Sequence, residues 1–270
     1  MMPTITLPSW LAPETVANLV RVGGNHDGGY VVPAGLLDAE ALVSMGLATN
    51  WNFEIEAHAH APGLQIHAYD HTVSLKTLQR EYYSFLASAL CGQSRWSDVA
   101  KRRRLIQTYR SFFGQHATHF QQRIYSHDEP GSASIATVMQ RVTKARVFVK
   151  MDIEGAEYRV LDALLAHADR LTGLAIEFHD TGPLWSSFEQ IVQRWLPRFA
   201  IVHLHVNNFL PPYDGRPDVL ELTLARRDLV QTSAPRASLP IALDRPNDPS
   251  QPDYAVTFTD KPAAPLLSAR

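Results

Sequence analysis

The sequence predicts an α/β fold built on an open sheet, and three stretches carry that expectation. Val147 to Met151 is short, apolar and β-branched, while Val160, Leu161, Leu164 and Leu165 follow at helical spacing. Between them lie Asp152, Glu154, Gly155 and Glu157, an acidic turn at the carboxyl end of a strand, where open α/β sheets place their ligand chemistry. Ala41 to Gly46, residues 47–54 and a helix ending near Pro62 and Gly63 repeat the order strand, glycine turn, helix. Leu64 to Asp70 then reads as a second strand that ends in an acid.

Size and composition fit one large soluble domain: 270 residues, 45% hydrophobic and 19% charged. A helical insertion over 75–119 and a proline-rich C-terminal extension over 230–270 decorate it. The formal net charge of −2 gives no general attraction to nucleic acid or to an anionic membrane, so neither is an expected partner. No apolar run approaches the roughly 20 residues that span a bilayer. Residues 1–10 lack the charged and apolar regions of a signal peptide, which makes a cytoplasmic location the expectation. The single cysteine, Cys91, excludes an internal disulfide and a cysteine-rich metal knuckle, and reads as a small buried apolar residue.

In chain order, Leu11, Val16, Leu19 and Val20 fall at roughly helical spacing. Two glycine pairs then flank Asn25, His26 and Asp27, a hairpin turn or a polar loop over a ligand into which Arg21, Asp27 and Tyr30 would reach. Asp70 lies near the offset of about 20 residues from Gly46 at which an acid meets a ribose hydroxyl pair. Residues 75–119 are helical in composition, with the basic run Lys101 to Arg104 on a solvated face and Leu105, Ile106, Tyr109, Phe112 and Phe113 as a buried stripe. This insertion is placed to cap the site. Residues 119–126 read as a third strand, and 134–142 as a helix before the central strand. Helices over 157–168 and 186–196 alternate with strands over 174–180, 200–209 and 219–225. The prolines 235, 240, 246, 249, 252, 262 and 265 mark an extended tail in which 254–258 alternates like an edge strand.

Charges inside strands point to the site. Lys150 lies in a strand covered on both faces and needs a partner, for which Glu177 is the candidate. If the first strand lies between the second and the one at 147–151, then Gly46, Asp70, Asp152, His179 and Asp180 line one crevice. Asp152, His179 and His205 are the candidate proton acceptors, and Glu154, Asp180 and Asn207 stand where a substrate would bind beside Asp27 and Tyr30. His203 and His205 share a strand face by the period of two.

The segment Val149-Lys-Met-Asp-Ile-Glu-Gly-Ala-Glu-Tyr-Arg-Val-Leu161 resembles the signature of the FkbM-type S-adenosylmethionine-dependent methyltransferases. Asp27 to Val32, Ser44 to Glu54, His67 to Asp70, Ile176 to Asp180, His203 to Asn208 and Leu243 to Asn247 with Pro252 and Asp253 are similar in the same order, so the resemblance covers most of the chain. It implies the class I methyltransferase fold, Rossmann-like, a mostly parallel seven-stranded sheet with helices on both faces and an antiparallel last strand near 219–225. It also implies cofactor binding by Gly46, Asn50, Phe53, Glu54 and Asp70, with Gly46 at the methionine end and Asp70 at the ribose. The first turn departs from the family's glycine-rich loop, because Met45-Gly-Leu-Ala-Thr49 stands there. The implied reaction is O-methylation of a small, sugar-like acceptor with S-adenosyl-L-methionine as cofactor.

Three other readings compete. Asp152, Glu154, His179, Asp180, His203 and His205 are also ligands for a divalent metal, as in a metal-dependent hydrolase. A nicotinamide-dependent oxidoreductase would use Asp70 in the same way but needs a glycine-rich first turn. A non-catalytic binding protein would have no need of both acids.

Overall fold

The computed structural model describes residues 2–260, apart from the side chains at positions 36 and 37. Residues 261–270 of the expected extension, with Pro262 and Pro265, lie outside the described residues. A seven-stranded sheet forms the centre. Its strands are β1 (Ala41–Met45), β2 (Gln65–Tyr69), β3 (Ala117–Phe120), β4 (Val147–Met151), β5 (Leu171–Phe178), β6 (Phe199–Val206) and β7 (Leu220–Arg226). They lie in the order β6-β7-β5-β4-β1-β2-β3. All neighbours run parallel except β7, which is antiparallel to both β5 and β6. This is the sheet that the resemblance implied.

Helices α1 (Asn52–His60), α2 (Leu75–Leu90), α3 (Trp96–Gln115), α4 (Ile135–Arg141), α5 (Glu157–Leu165) and α6 (Trp185–Trp195) cover both faces. The α4, α5 and α6 side packs Val138, Val160, Leu164 and Phe188 against Val147, Val149 and Met151 of β4. The opposite side packs Phe53 and Phe112 with Phe148. Successive β4 residues thus face opposite layers, and both layers are apolar, which is why the strand reads as a continuous hydrophobic run. Among the described residues no helix is long and apolar enough to cross a membrane.

Several elements differ from the sequence expectation. Residues 11–22 are not a helix: Leu19–Val22 pairs with Tyr30–Pro33 as a hairpin, after a turn in which Asn18 takes φ 56°. β-Branched valines in both arms favour the pleat over a helix. The third strand is Ala117–Phe120 rather than 119–126: it starts two residues earlier because α3 ends at Gln115, and it stops at Phe120, after which Arg123–Ile124 pairs separately with Ser132–Ala133. Ala255–Thr259 is not an edge strand but the middle of a three-stranded sheet, parallel to Thr4–Pro8 and antiparallel to Ser238–Leu239. Cys91, which caps the C-terminus of α2, is exposed rather than buried. Leu78 and Ala89 are the buried residues of α2, whose N-terminus Ser74 caps by accepting from the backbone N–H of Thr77 while the Thr77 hydroxyl accepts from that of Ser74.

Candidate active site

The carboxyl ends of β1, β2 and β4 meet at the point where successive connections leave to opposite faces of the sheet, the position at which such sheets bind ligands. A cavity of about 350 Å³ opens there. Gly46 and Ala48 follow β1, Asp70 and Thr72 follow β2, Asp152 follows β4, and Ile124 comes from the short strand Arg123–Ile124 that follows β3.

Backbone geometry shapes the floor. Gly46 has φ 84°, and a Cβ on it would lie 1.6 Å from the carbonyl oxygen of Asp152. Only a glycine allows the β1 turn to lie this close to the β4 turn. The Asp152 N–H donates to the Met45 carbonyl at 2.9 Å, and the Lys150 ammonium donates to the Gly46 carbonyl at 2.5 Å. Asp70 binds the turn from the other side: its Oδ2 accepts from the N–H groups of Leu47 and Ala48 at 2.9 and 2.8 Å. Its Oδ1 accepts from the N–H and hydroxyl of Thr72, both at 2.6 Å. Burial acts to raise its pKa, but these donors outweigh it and hold Asp70 below the ordinary carboxylate value.

Lys150 does not pair with Glu177. Its ammonium lies 3.5 Å from Asp152 Oδ2, and its nearest cross-strand neighbours are Ser44 and Ala175. Turning toward β1 gives it one carbonyl and one carboxylate, the pairing that a deeply buried cation requires.

A cluster of carboxylates surrounds His179 just beyond β5. Its Nε2 lies 3.5 Å from Glu154, 3.8 Å from Asp152 and 3.9 Å from Glu177, and its Nδ1 lies 3.3 Å from Glu157. Burial works against the imidazolium, but the Glu157 hydrogen bond and the surrounding negative charges win and raise its pKa to about 9. At neutral pH His179 is therefore a cation. Asp152 is partly open, with 27% of its side chain exposed, and Glu154 projects into solvent at 87%.

A polar row continues across the sheet on the hairpin side. Glu177 on β5 is opposite Glu221 on β7, which is opposite His205 on β6. Glu177 accepts from Asn207 Nδ2 at 3.0 Å and from the Tyr30 hydroxyl at 3.3 Å. Burial, then the charges of Asp152 and Glu221, push Glu177 well above the ordinary carboxyl range. His205 is enclosed, with Nε2 3.1 Å from Asp253 and Nδ1 3.5 Å from Glu221. Burial opposes its charge, yet these two carboxylates raise its pKa to about 10.

The structure therefore separates the residues that the sequence grouped. Gly46, Asp70, Asp152 and Glu154 line the cavity, and His179 adjoins it through Asp152 and Glu154. Asp180 is exposed beside Gly155, its Oδ2 3.7 Å from where a Cβ there would be. Phe53 and Glu54 lie beneath the β1 turn, Phe53 edge-on to Tyr30 and Glu54 accepting from the Ser44 hydroxyl. Asn50 donates to the Asp27 carbonyl at 3.0 Å and so ties the hairpin loop to the turn. Arg21 turns back on that loop, donating to the carbonyls of Gly24 and His26 at 2.9 and 2.8 Å. Tyr30 and Asn207 both hold Glu177. Asp27 lies exposed in the hairpin loop, away from the cavity lining. His205 faces Asp253 and Glu221 rather than the cavity, and His203 faces Asp244 at 2.8 Å. None of the cavity-lining residues comes from the α2–α3 hairpin, which was expected to cap the site. Thr72, Ile124, Tyr125 and Ile153 line the cavity without having been singled out in the sequence. Position alone would have found them, since each follows the carboxyl end of a parallel strand.

The sequence pattern of the methyltransferase FkbM domain matches residues 37–200, more than half of the chain. No curated protein matches it. Among solved structures, a methyltransferase FkbM from Methylobacillus flagellatus KT is 16% identical with a TM-score of 0.42, covering 68% of this chain and 44% of its own. A precorrin-6y C5,15-methyltransferase from Geobacter metallireducens GS-15 is 12% identical with a TM-score of 0.36, covering 71% and 83%. A putative RNA methyltransferase from Pyrococcus horikoshii is 10% identical with a TM-score of 0.37, covering 70% and 76%.

Proposed function

The chain belongs to the methyltransferase FkbM family, and from that membership we propose that it moves the methyl group of S-adenosyl-L-methionine to a hydroxyl oxygen of a small, sugar-like acceptor. One observation carries the reading: a single cavity reaches from Asp70 and the β1 turn to Asp152, joining a nucleoside cradle to a carboxylate. The residues present fit that cofactor. Its volume of about 350 Å³ lies within the range of ligand pockets, roughly 300–1,000 Å³. Ile124 and Ile153 supply apolar walls for a purine, the Thr72 hydroxyl a polar group for the ribose, and the 46–48 turn, held in place by Asp70, a backbone cradle for the methionyl end. When bound, the cofactor supplies an electrophilic methyl group on a sulfonium.

The protein's own contribution is positioning and removal of one proton. Among the candidate proton acceptors, Asp152 faces the cavity, and its carboxylate would accept the acceptor hydroxyl's hydrogen bond. Lys150 and the His179 imidazolium fix Asp152 from two sides. His205 is a locked cation with both ring nitrogens engaged, so it serves the framework. Calorimetric titration of S-adenosylmethionine and of its demethylated product into the protein and into Asp70→Ala tests the reading. Binding of both, lost in the variant, is expected; no binding of either overturns it.

A metal-dependent reaction has one observation in its favour, because ligand atoms of Asp152, Glu154 and His179 lie within 4.8 Å of one another. Activity abolished by a chelator and restored by a divalent cation would support it.

A further inference from the structure

The small net charge conceals a strong asymmetry. Residues 75–116, which hold α2, α3 and their connection, carry eight of the chain's 25 basic residues and two of its 27 acidic ones. The hairpin is thus six charges positive, and the rest of the chain is eight negative. Lys76 and Arg80 lie on α2, Arg95 in the connection, and Lys101 to Arg104 with Arg110 on α3. Among the described residues Arg102 alone of these has a carboxylate partner, Glu81 at 3.5 Å, and its guanidinium also covers the Phe85 ring. The other seven cations face no fixed counter-charge among those residues.

Large apolar side chains are exposed at the end of the same hairpin. Leu90, the last residue of α2, is 71% exposed, and Trp96, the first of α3, is 59% exposed. Tyr83 is 63% exposed and, seven residues before Leu90, projects from the same face of α2. On α3 the spacing places Trp96, Arg103, Gln107 and Arg110 along one stripe. The buried residues Val99 and Phe112 hold the helix to the protein.

We infer that the α2–α3 hairpin docks on the anionic surface of a lipid bilayer, with Leu90 and Trp96 entering the headgroup layer and the unpaired arginines and lysines meeting lipid phosphates. Positive charge alone attracts any polyanion, and the apolar tip decides among them. A tryptophan and a leucine exposed at the facing ends of two consecutive helices suit the interface, where an amphipathic ring and an aliphatic side chain leave water together. Single-stranded nucleic acid instead needs several aromatic faces along a basic groove on which bases stack. Leu90 offers no such face. Long basic side chains on the flanking stripe can lay their stems along the apolar layer and keep their charges at its surface. Ser74, which caps α2, is two residues beyond Thr72 in the cavity wall, so the docking element continues directly from the candidate active site.

Flotation of the full chain with vesicles tests this. Association is expected with vesicles of phosphatidylcholine mixed with phosphatidylglycerol at low salt, and not with phosphatidylcholine alone. Arg103→Ala with Arg104→Ala should weaken it about 30-fold, given the contribution of each cation near such a surface. Leu90→Ala with Trp96→Ala should weaken it on the order of 100-fold and abolish the blue shift of tryptophan fluorescence on binding. Cofactor affinity, unchanged in both double variants, serves as the check on folding. No association with anionic vesicles, equal association with both vesicle types, or binding of an RNA oligonucleotide without vesicle binding overturns the inference.

Discussion

Replacing Gly46 by alanine puts a methyl group where the main chain of the neighbouring strand already lies. The added Cβ would sit 1.6 Å from the carbonyl oxygen of Asp152 and 2.7 Å from its carbonyl carbon, so one of the two turns must move. That movement stretches two bonds at once, Asp152 N–H to Met45 and Lys150 to the Gly46 carbonyl. The left-handed backbone at φ 84° adds about 1–2 kcal/mol for a residue with a Cβ. Overpacking adds about 1–3 kcal/mol, so the expected destabilisation is about 2–5 kcal/mol. Against a typical total of about 5–15 kcal/mol this is a large lowering of the urea midpoint. Binding of S-adenosylmethionine should fall with it, because the same turn floors the cavity. Gly114→Ala on α3 is the control: nothing lies within 4 Å of its added Cβ, and a helix accepts the change with neutral to about 1 kcal/mol stabilising effect. An unchanged midpoint together with unchanged cofactor affinity in Gly46→Ala would refute the packing of the β1 turn on β4.

Further outcomes are expected at the carboxylates and histidines. Asp152→Asn should lower kcat on the order of 10²–10⁴-fold while cofactor affinity stays within a few-fold, as measured by single-turnover rates beside calorimetry. The rate should stay level across neutral pH and fall as His179 loses its proton near pH 9, since that cation orients Asp152; a rate that climbs through pH 9 would make neutral His179 the proton acceptor. Asp253→Asn should destabilise the fold by about 3 kcal/mol in urea, because it leaves the buried His205 cation with Glu221 alone. Stability should also depend on pH through both histidines. Their folded pKa values, about 9 for His179 and about 10 for His205, lie above the unfolded value, so the stabilisation is complete below about pH 6.5 and is lost as pH rises through 9 and then 10. A urea midpoint that rises over that range would contradict the assignment.

Much of the sheet was legible because its signals are local. Val147 to Met151 has both faces buried, and its boundaries in the sequence and in the structure coincide. Asp70 and Asp152 were legible as strand-end acids, and the cavity brings them together. What Asp70 bonds was not legible, because its partners Leu47 and Ala48 lie 23 and 22 residues back along the chain. The Lys150 partner was not legible for a similar reason. A carbonyl at Gly46 leaves no signature in a sequence, whereas the carboxylate of Glu177 does. Helical spacing misled at Leu11, Val16, Leu19 and Val20, where pairing with Tyr30–Pro33 decides the conformation. The bonds of His205 to Asp253 and of Asn208 to the Asp248 carbonyl span 48 and 40 residues, into a tail that composition marks only as extended.

The pairing of Thr4–Pro8 with Ala255–Thr259 sets a schedule for synthesis. Thr4 is in register with Ala255, so an early-made strand waits for one made 251 residues later. At translation rates of about 5–20 residues per second that delay is on the order of 10–50 s. During it Ile5 and Leu7, both buried in the finished protein, have no partner from the tail, and the sheet edge is open to other nascent chains. Expression of this protein should accordingly respond to chaperone supply more than its finished stability would suggest, and a chain ended before Ala255 should be recovered mainly as aggregate.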